Sequence, residues 1–116
     1  MAAILVLDDE VLITMMLKDW LDELGHETVG PAASNEEALA LVADGGVEAA
    51  ILDVSVGGAR SYSVADALQA KGIPFAFITG HGAGSVTGAH DAARVLTKPF
   101  DFAAVESVVA ALLAAR

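Results

Sequence analysis

Carboxylate, hydroxyl and ammonium side chains end four of the short apolar runs in this 116-residue sequence. The first run, residues 4–7, is followed by Asp8-Asp9-Glu10, and a later run ends in Asp53. Two further runs end in Thr79 and Lys98. Adjacent carboxylates repel one another, so they either raise a pKa or hold a cation. Together these groups have the chemistry of a site for a divalent cation and a phosphoryl group.

Each residue type has a role in such a site. Three carboxylates can bind one Mg²⁺ ion, which keeps several waters and also takes phosphate oxygens. One carboxylate can itself be a nucleophile and form an acyl phosphate. A hydroxyl and an ammonium group can contact the remaining phosphoryl oxygens. The alternative is that Asp8 caps the next helix while Asp9 and Glu10 complement its dipole. That alternative leaves the groups at the other three run ends unexplained.

The elements that position these groups alternate between strand and helix. Apolar runs predict five strands, over residues 4–7, 26–30, 48–53, 74–80 and 94–99. Apolar residues at helical spacing and capping signals predict helices over residues 10–24, 34–45, 61–70 and 101–115. Residues 54–60 and the segment that starts at Pro31 are predicted as loops. The alternation predicts an α/β fold with a parallel sheet, whose strand ends meet in one crevice.

Four glycines between residues 80 and 90 set that segment apart from the rest of the chain. The alternation of elements requires a helix there. Each glycine, however, lowers the stability of a helix by about 1 kcal/mol relative to alanine. We therefore expect a helix that is short, frayed or absent.

The composition limits the classes of protein to consider. The net charge of −10 argues against a nucleic-acid surface, which needs a basic patch. Because the chain has no cysteine, it has no disulfide framework and no thiol nucleophile. No run of about 20 apolar residues exists, so we expect no membrane span and a cytoplasmic location. A length of 116 residues predicts a single domain over residues 1–116.

Four motifs resemble those of the receiver domain of two-component response regulators, and the resemblance covers the whole chain. These motifs are Leu7-Asp8-Asp9-Glu10, Ile51-Leu52-Asp53, Ile78-Thr79-Gly80 and Lys98-Pro99-Phe100. The resemblance implies a doubly wound, flavodoxin-like sheet of five parallel strands in the order 2-1-3-4-5. It also implies that Asp53 accepts a phosphoryl group from a histidine kinase or a histidine phosphotransfer protein. The chain would then be a signalling phosphoacceptor with autodephosphorylation, and not an enzyme in its own right.

The resemblance further implies the roles of the other site residues. Asp9 and Asp53 would ligate Mg²⁺ directly, together with the backbone carbonyl of Ser55, and Asp8 would ligate it through water. Two side chains would contact the phosphoryl oxygens, those of Thr79 and Lys98. The Lys98–Pro99 peptide bond would be cis. Output would come from binding a downstream protein partner, or from relaying or draining phosphate.

Two departures from the family pattern bear on its activation switch. Val56-Gly57 stands where receivers usually have Met-Pro, and Val95 stands where they usually have an aromatic residue. The segments Asp53-Val54-Ser55-Val56-Gly57-Gly58 and Pro74-Phe75-Ala76-Phe77-Ile78-Thr79-Gly80 are similar to a subgroup named for its Phe-Ala-Thr-Gly motif. A valine is too small to swing between two pockets as a ring does. We therefore expect the switch to lie in the glycine-rich segment, residues 80–88.

Three other functions remain open from the residues themselves. A flavodoxin-like cofactor binder would share the fold, but it needs a phosphate loop where this chain has Asp8-Asp9-Glu10. A Mg²⁺ phosphatase with an aspartyl nucleophile would resemble this chemistry, but it usually spaces its two acids one residue apart and carries a cap domain. A receiver that is never phosphorylated is the third alternative, and the complete set of acid, threonine and lysine argues against it.

The remaining residues of interest are three histidines and two apolar residues. His26 and His90 are predicted on the surface, and His81 is predicted to overhang the site because it follows Thr79 by two residues. Leu12 and Met15 lie off the apolar stripe of the first helix, beside the carboxylates. We expect them to be exposed and to form the docking site of the kinase, although scattered surface apolar residues are also ordinary.

Overall fold

The structure, a computed structural model, describes residues 1–80 and 93–115. Up to residue 79, strands and helices alternate, apart from one short hairpin. In chain order they are β1 (Ala3–Leu7), α1 (Val11–Glu23), β2 (Glu27–Ala32), α2 (Asn35–Asp44), β3 (Ala49–Asp53), β4 (Ser55–Val56), β5 (Ala59–Arg60), α3 (Tyr62–Ala70), β6 (Phe75–Thr79), β7 (Arg94–Thr97) and α4 (Phe102–Ala115).

Five of the strands form one parallel sheet in the order β2-β1-β3-β6-β7. This is the predicted flavodoxin-like order, so the α/β fold class is confirmed. In the register of the central strands, Leu7 pairs with Leu52, and Asp53 pairs with Ile78. Thr79, the next residue of β6, pairs with Thr97 at the end of β7. The register therefore brings the carboxyl ends of four strands to one edge of the sheet.

The central strands β1, β3 and β6 are almost fully buried on both faces, which explains their continuous apolar runs. Successive side chains of a strand point to opposite faces. Leu5 and Leu7 accordingly lie in a core with α2 and α3, whereas Ile4 and Val6 lie in a second core with α1 and α4. All four side chains are fully buried. These two cores fix the position of the strand ends.

Helix α1 begins and ends within one residue of its predicted bounds, with Glu10 as N-cap and Leu24 as C-cap. Leu17 and Leu21 are fully buried against the sheet. Trp20, on the same helix, makes edge-to-face contacts with the rings of Phe100 and Phe102, at centroid distances of 6.3 and 5.9 Å. The helix is thereby packed against the segment that links β7 to α4.

The predicted end of the second strand is wrong, because β2 continues through Pro31 to Ala32. The register between β1 and β2 shifts between Leu5 and Leu7, which marks a bulge. A proline is compatible with an edge strand at a bulge, where its missing N–H breaks no ladder. Gly30 allows the bulge with a φ of +93°; a Cβ there would lie 2.6 Å from the Ala32 nitrogen.

Residues 54–60 are also not the predicted irregular loop. Strands β4 and β5 pair antiparallel, with Ser55 opposite Arg60 and Val56 opposite Ala59. The two residues between them, Gly57 and Gly58, have φ values of 59° and 80°. Two positive φ values in succession are what a two-residue hairpin turn of the primed type requires. A small hairpin therefore stands next to Asp53.

Several other predictions concern single residues. His26 is half-buried rather than on the surface, and its Nδ1 accepts a hydrogen bond from the Ala2 N–H (3.1 Å). The Lys98–Pro99 bond is cis, as the resemblance implied. The glycine-rich segment after Gly80, with His81 and His90, lies outside the described residues. Within the described residues, no helix is long and apolar enough to cross a membrane.

Candidate functional site

Asp53 is the last residue of β3, and hydrogen bonds hold both its side chain and its backbone. The residue is 7% exposed. Its Oδ1 accepts a hydrogen bond from the Ser55 N–H (3.3 Å), and its backbone carbonyl accepts one from the buried Ser61 Oγ (2.6 Å). Ser61 also donates its own N–H to the Val54 carbonyl (2.9 Å). The Asp53 carboxylate therefore has a fixed position at the rim of the sheet.

Asp8 follows β1 and is the most buried carboxylate of the site, with 1% of the residue exposed. Its backbone N–H donates to the Ala32 carbonyl (3.0 Å), and its Oδ1 accepts from the Glu10 N–H (2.8 Å). Its Oδ2 is buried and has no hydrogen-bond partner. Most buried side-chain polar atoms have a partner, so this oxygen needs an explanation.

Lys98 follows β7 and brings an ammonium group to the same place. Its backbone N–H donates to the Thr79 carbonyl (2.8 Å), which ties the ends of β6 and β7 together. Its Nζ lies 3.9 Å from Asp8 Oδ2 and 3.9 Å from Asp53 Oδ2. It lies much closer, 2.7 Å, to Glu10 Oε1. One ammonium group therefore lies near three carboxylates and forms a hydrogen bond with one of them, Glu10.

Thr79 ends β6 and is 4% exposed. Its strand lies between β3 and β7 in the sheet, so Thr79 stands between the strand that ends in Asp53 and the strand that precedes Lys98. The structure thus brings the ends of β1, β3, β6 and β7 together as predicted. The predicted roles of Thr79 and Lys98 toward a phosphoryl group stay predictions.

Asp9 contacts the β4–β5 hairpin. Its Oδ2 accepts a hydrogen bond from the Gly57 N–H (3.0 Å), in the turn of the β4–β5 hairpin, and the residue is exposed. Glu10 takes the third place beside the buried pair instead: ligand atoms of Asp8, Glu10 and Asp53 all lie within 4.8 Å of one another. Ser55 reaches Asp53 through its N–H. The predicted ligand set of Asp8, Asp9, Asp53 and Ser55 remains a prediction.

Three contacts of the site were missed by sequence reasoning: those of Glu10, Gly57 and Ser61. Glu10 lies two residues after Asp8, but the chain bends at Asp9, so no regular period predicted its contact with Lys98. The Gly57-Gly58 pair did carry a usable signal, since two glycines between short β-forming stretches are typical of a hairpin turn. Nothing in the sequence distinguished Ser61 from an ordinary helix N-cap.

Burial dominates the electrostatics of the two inner carboxylates. It raises the pKa of Asp8 to about 7; the hydrogen bond from Glu10 N–H opposes this rise, and the charge of Asp53 adds to it. Burial also raises the pKa of Asp53, against the hydrogen bond from Ser55 N–H and the charge of Lys98. Burial alone would lower the pKa of Lys98, but the hydrogen bond to Glu10 and the charges of Asp53 and Asp8 raise it.

These residues fit a hard divalent cation. Mg²⁺ binds through one or two carboxylates plus waters and phosphate oxygens. Asp8, whose Oδ2 has no hydrogen-bond partner, belongs to a group of three carboxylates with Glu10 and Asp53. The two buried members, Asp8 and Asp53, have raised pKa values. A cation would give that oxygen a partner and favour the ionised form of both acids. The arrangement is therefore suited to charge compensation by a metal ion or a proton.

Comparison with known proteins agrees with the fold. The family described as "Response regulator receiver domain" matches residues 4–110, and the chain belongs to this family of two-component signalling domains. The solution structure of SdrG from Sphingomonas melonis Fr1 is 46% identical, with a TM-score of 0.87 and 97% of each chain covered. A solution structure of the BeF3-activated conformation of SdrG from Pseudomonas melonis Fr1 is 46% identical, with a TM-score of 0.83, and covers 96% of this chain and 95% of that one.

Curated relatives are longer than this chain. The phyllosphere-induced regulator PhyR of Methylorubrum extorquens is 31% identical over 114 residues, which are 95% of this chain and 43% of PhyR. The chain spans less than half the length of the curated relatives it matches. What those relatives share with this chain is therefore the receiver domain.

Proposed function

We propose that this receiver domain accepts a phosphoryl group on Asp53, with Mg²⁺ bound, from a histidine kinase or a histidine phosphotransfer protein. One observation carries the proposal. The buried carboxylate of Asp53 shares the Lys98 ammonium with Asp8, at 3.9 Å each, and the Asp8 oxygen in that contact has no hydrogen-bond partner. A nucleophilic carboxylate, a second acid and a fixed cation are the parts that phosphoryl transfer requires.

The transfer step begins with an Asp53 carboxylate oxygen and the phosphorus of a phosphohistidine. The O–P bond forms and the P–N bond breaks, so that an acyl phosphate remains on Asp53. The electron pair of the broken bond stays on the imidazole nitrogen. That nitrogen takes up one proton from the solvent, so the histidine leaves as a neutral imidazole. Lys98 and Thr79 then donate hydrogen bonds to phosphoryl oxygens, which offsets their charge.

The cation would be held directly by Asp9, Asp53 and the Ser55 carbonyl, and through water by Asp8, as the family resemblance implies. When bound, it supplies positive charge to the phosphoryl oxygens as they approach Asp53. Asp9 accepts the Gly57 N–H through Oδ2, so it can join this set through Oδ1 or after a rotation of its exposed side chain. SdrG, 46% identical to this chain, has a BeF3-activated conformation, which supports activation of this domain by a phosphoryl group.

The output of the domain would be binding of a downstream protein, or relay of the phosphoryl group. The receiver family supports either route, and the charge of −10 favours a basic protein surface over nucleic acid.

Intact mass spectrometry tests the phosphoacceptor directly. The protein is incubated with Mg²⁺ and acetyl phosphate, and we expect the added mass of one phosphoryl group. Asp53→Asn should gain none, whereas the matched variant Asp44→Asn, at the exposed end of α2, should gain it as the parent does. Labelling that persists in Asp53→Asn, or that needs no divalent cation, would refute the proposal.

A further inference from the structure

Glu10 binds the Lys98 ammonium group more closely than the buried acids do. Its Oε1 lies 2.7 Å from Nζ, whereas Asp8 Oδ2 and Asp53 Oδ2 lie 3.9 Å away. A hydrogen bond between nitrogen and oxygen spans about 2.7–3.2 Å, so Lys98 bonds to Glu10 and to neither inner carboxylate. The ammonium group is therefore held toward the exposed side of the site.

Exposure shows where this contact lies. The side chain of Glu10 is 59% exposed and that of Lys98 is 25% exposed, while the side chain of Asp8 is fully buried. An ammonium group can donate three hydrogen bonds, yet Asp8 Oδ2 receives none. The Lys98 ammonium group is therefore hydrogen-bonded to Glu10 and not to Asp8 or Asp53.

The backbones on both sides of the contact are fixed. The Glu10 N–H donates to Asp8 Oδ1 (2.8 Å), and its carbonyl accepts from the N–H groups of Ile13 and Thr14 (3.1 Å each). The Lys98 N–H is bonded to the Thr79 carbonyl (2.8 Å). Only the two side chains can adjust, so the length of each side chain decides whether they meet.

We infer that Glu10 is a positioning residue that holds the Lys98 ammonium at the rim and competes for it with the phosphoryl oxygens on Asp53. This inference rests on the proposed phosphorylation of Asp53. For Lys98 to bind a phosphoryl group on Asp53, its contact with the Glu10 carboxylate must first break. A neutral side chain at this position therefore accelerates phosphorylation, by about two- to fivefold for a partly exposed ion pair.

Three variants test the inference with acetyl phosphate and Mg²⁺, from initial rates of labelling. Glu10→Gln removes the charge at constant length, and we expect it to be labelled about two- to fivefold faster than the parent. Glu10→Asp keeps the charge but shortens the side chain by one methylene, and it should behave like Glu10→Gln because it no longer reaches Lys98. Glu23→Gln, at the far end of α1, is the control and should match the parent.

A second measurement reads the contact without any phosphoryl group. The chain has three lysines, at positions 18, 71 and 98. In ¹⁵N-labelled protein, exchange of the Lys98 ammonium protons with water should be faster in Glu10→Gln and Glu10→Asp than in the parent. Lys18, which pairs with Asp22 at 3.2 Å, is the internal reference and should not change.

Each outcome has one meaning. Slower labelling of Glu10→Gln would show that Glu10 serves the site as a cation ligand, and it would overturn the inference, as would an unchanged rate. A parent-like rate in Glu10→Asp would show that charge alone matters, and it would also overturn the inference. Failure of the proposed function looks different, because the parent protein itself would then remain unlabelled.

Discussion

Asp8 and Asp53 are two buried carboxylates that share one ammonium group at 3.9 Å. The Lys98 ammonium group lies closer to Glu10, at 2.7 Å, so it neutralises the negative charge of Asp8 and Asp53 only in part. A buried acid in that position favours its neutral form or a bound cation. The stability of the domain should therefore depend on both protons and divalent cations.

The first prediction concerns pH in the absence of divalent cations. The pKa of Asp8 is raised from 3.8 to about 7 in the folded state. Between these values the folded state binds more protons than the unfolded state, so the free energy of unfolding falls as the pH rises. We expect the melting temperature, measured in EDTA, to fall as the pH rises from about 4 to about 7.

Asp8→Asn is the control for this pH dependence, since an amide has a similar size and does not titrate. The fall in melting temperature should be smaller in this variant. An equal fall in the variant and the parent would assign the pH dependence to other groups.

The second prediction concerns Mg²⁺. A cation that binds the folded state stabilises it by mass action, by about 2.7 kcal/mol at a concentration one hundred times its dissociation constant. We expect the melting temperature at neutral pH to rise with millimolar Mg²⁺. Asp53→Asn should reduce this response, and the matched variant Asp44→Asn should keep it. If Mg²⁺ does not change the melting temperature of the parent protein, the proposed cation site is absent.

Among the elements, the central strands of the sheet were predictable because they are buried on both faces. In β3 every residue is buried, so the residues before Asp53 are all apolar and the strand stands out in the sequence. The Ser34 cap was predictable for a similar reason: its Oγ accepts the Glu37 N–H (3.2 Å), a contact that lies within four residues. The order of the strands came from the family resemblance.

Contacts between distant elements could not be predicted in this way. Asp9 accepts a hydrogen bond from the N–H of Gly57, 48 residues later. Glu10 reaches Lys98 across 88 residues. The partners of both side chains lie far away in the sequence and come close only in the folded chain. The third carboxylate of the site therefore depends on tertiary contacts, and not on the adjacency of the three acids.

The third prediction concerns the bulge of β2. Gly30→Ala places a Cβ 2.6 Å from the Ala32 nitrogen at a φ of +93°, so the backbone must shift. A positive φ alone costs a non-glycine residue about 1–2 kcal/mol, and the clash adds to this. We expect urea unfolding to show a larger loss for Gly30→Ala than for Gly57→Ala, whose Cβ would meet no atom within 4 Å. Equal losses would mean that the bulge relaxes freely.

At the scale of the whole molecule, the exposed apolar residues of α1 lie beside the site. Val11, Leu12 and Met15 are 68%, 80% and 58% exposed, which confirms the exposure predicted for Leu12 and Met15. Asp8 and Asp9 line a cavity of about 380 Å³ together with Val11 and Met15. We therefore expect a kinase that phosphorylates Asp53 to dock on this surface.

The fourth prediction is that Leu12→Glu slows phosphotransfer from a kinase, because it places a charge in an apolar contact. The rate with acetyl phosphate should be unchanged, since a small donor needs no docking surface. Ala43→Glu adds the same charge on an exposed position of α2 and should leave both rates unchanged. A kinase rate that Leu12→Glu does not alter would place the docking surface elsewhere.

The packing of Trp20 gives the molecule an optical reporter. It is the sole tryptophan of the chain, and its indole touches the rings of Phe100 and Phe102, which follow Lys98-Pro99 directly. The indole therefore reports on the packing of the segment that follows Lys98. Its emission offers a label-free readout of that segment when Mg²⁺ or a phosphoryl group is added, and it alters no residue of the site.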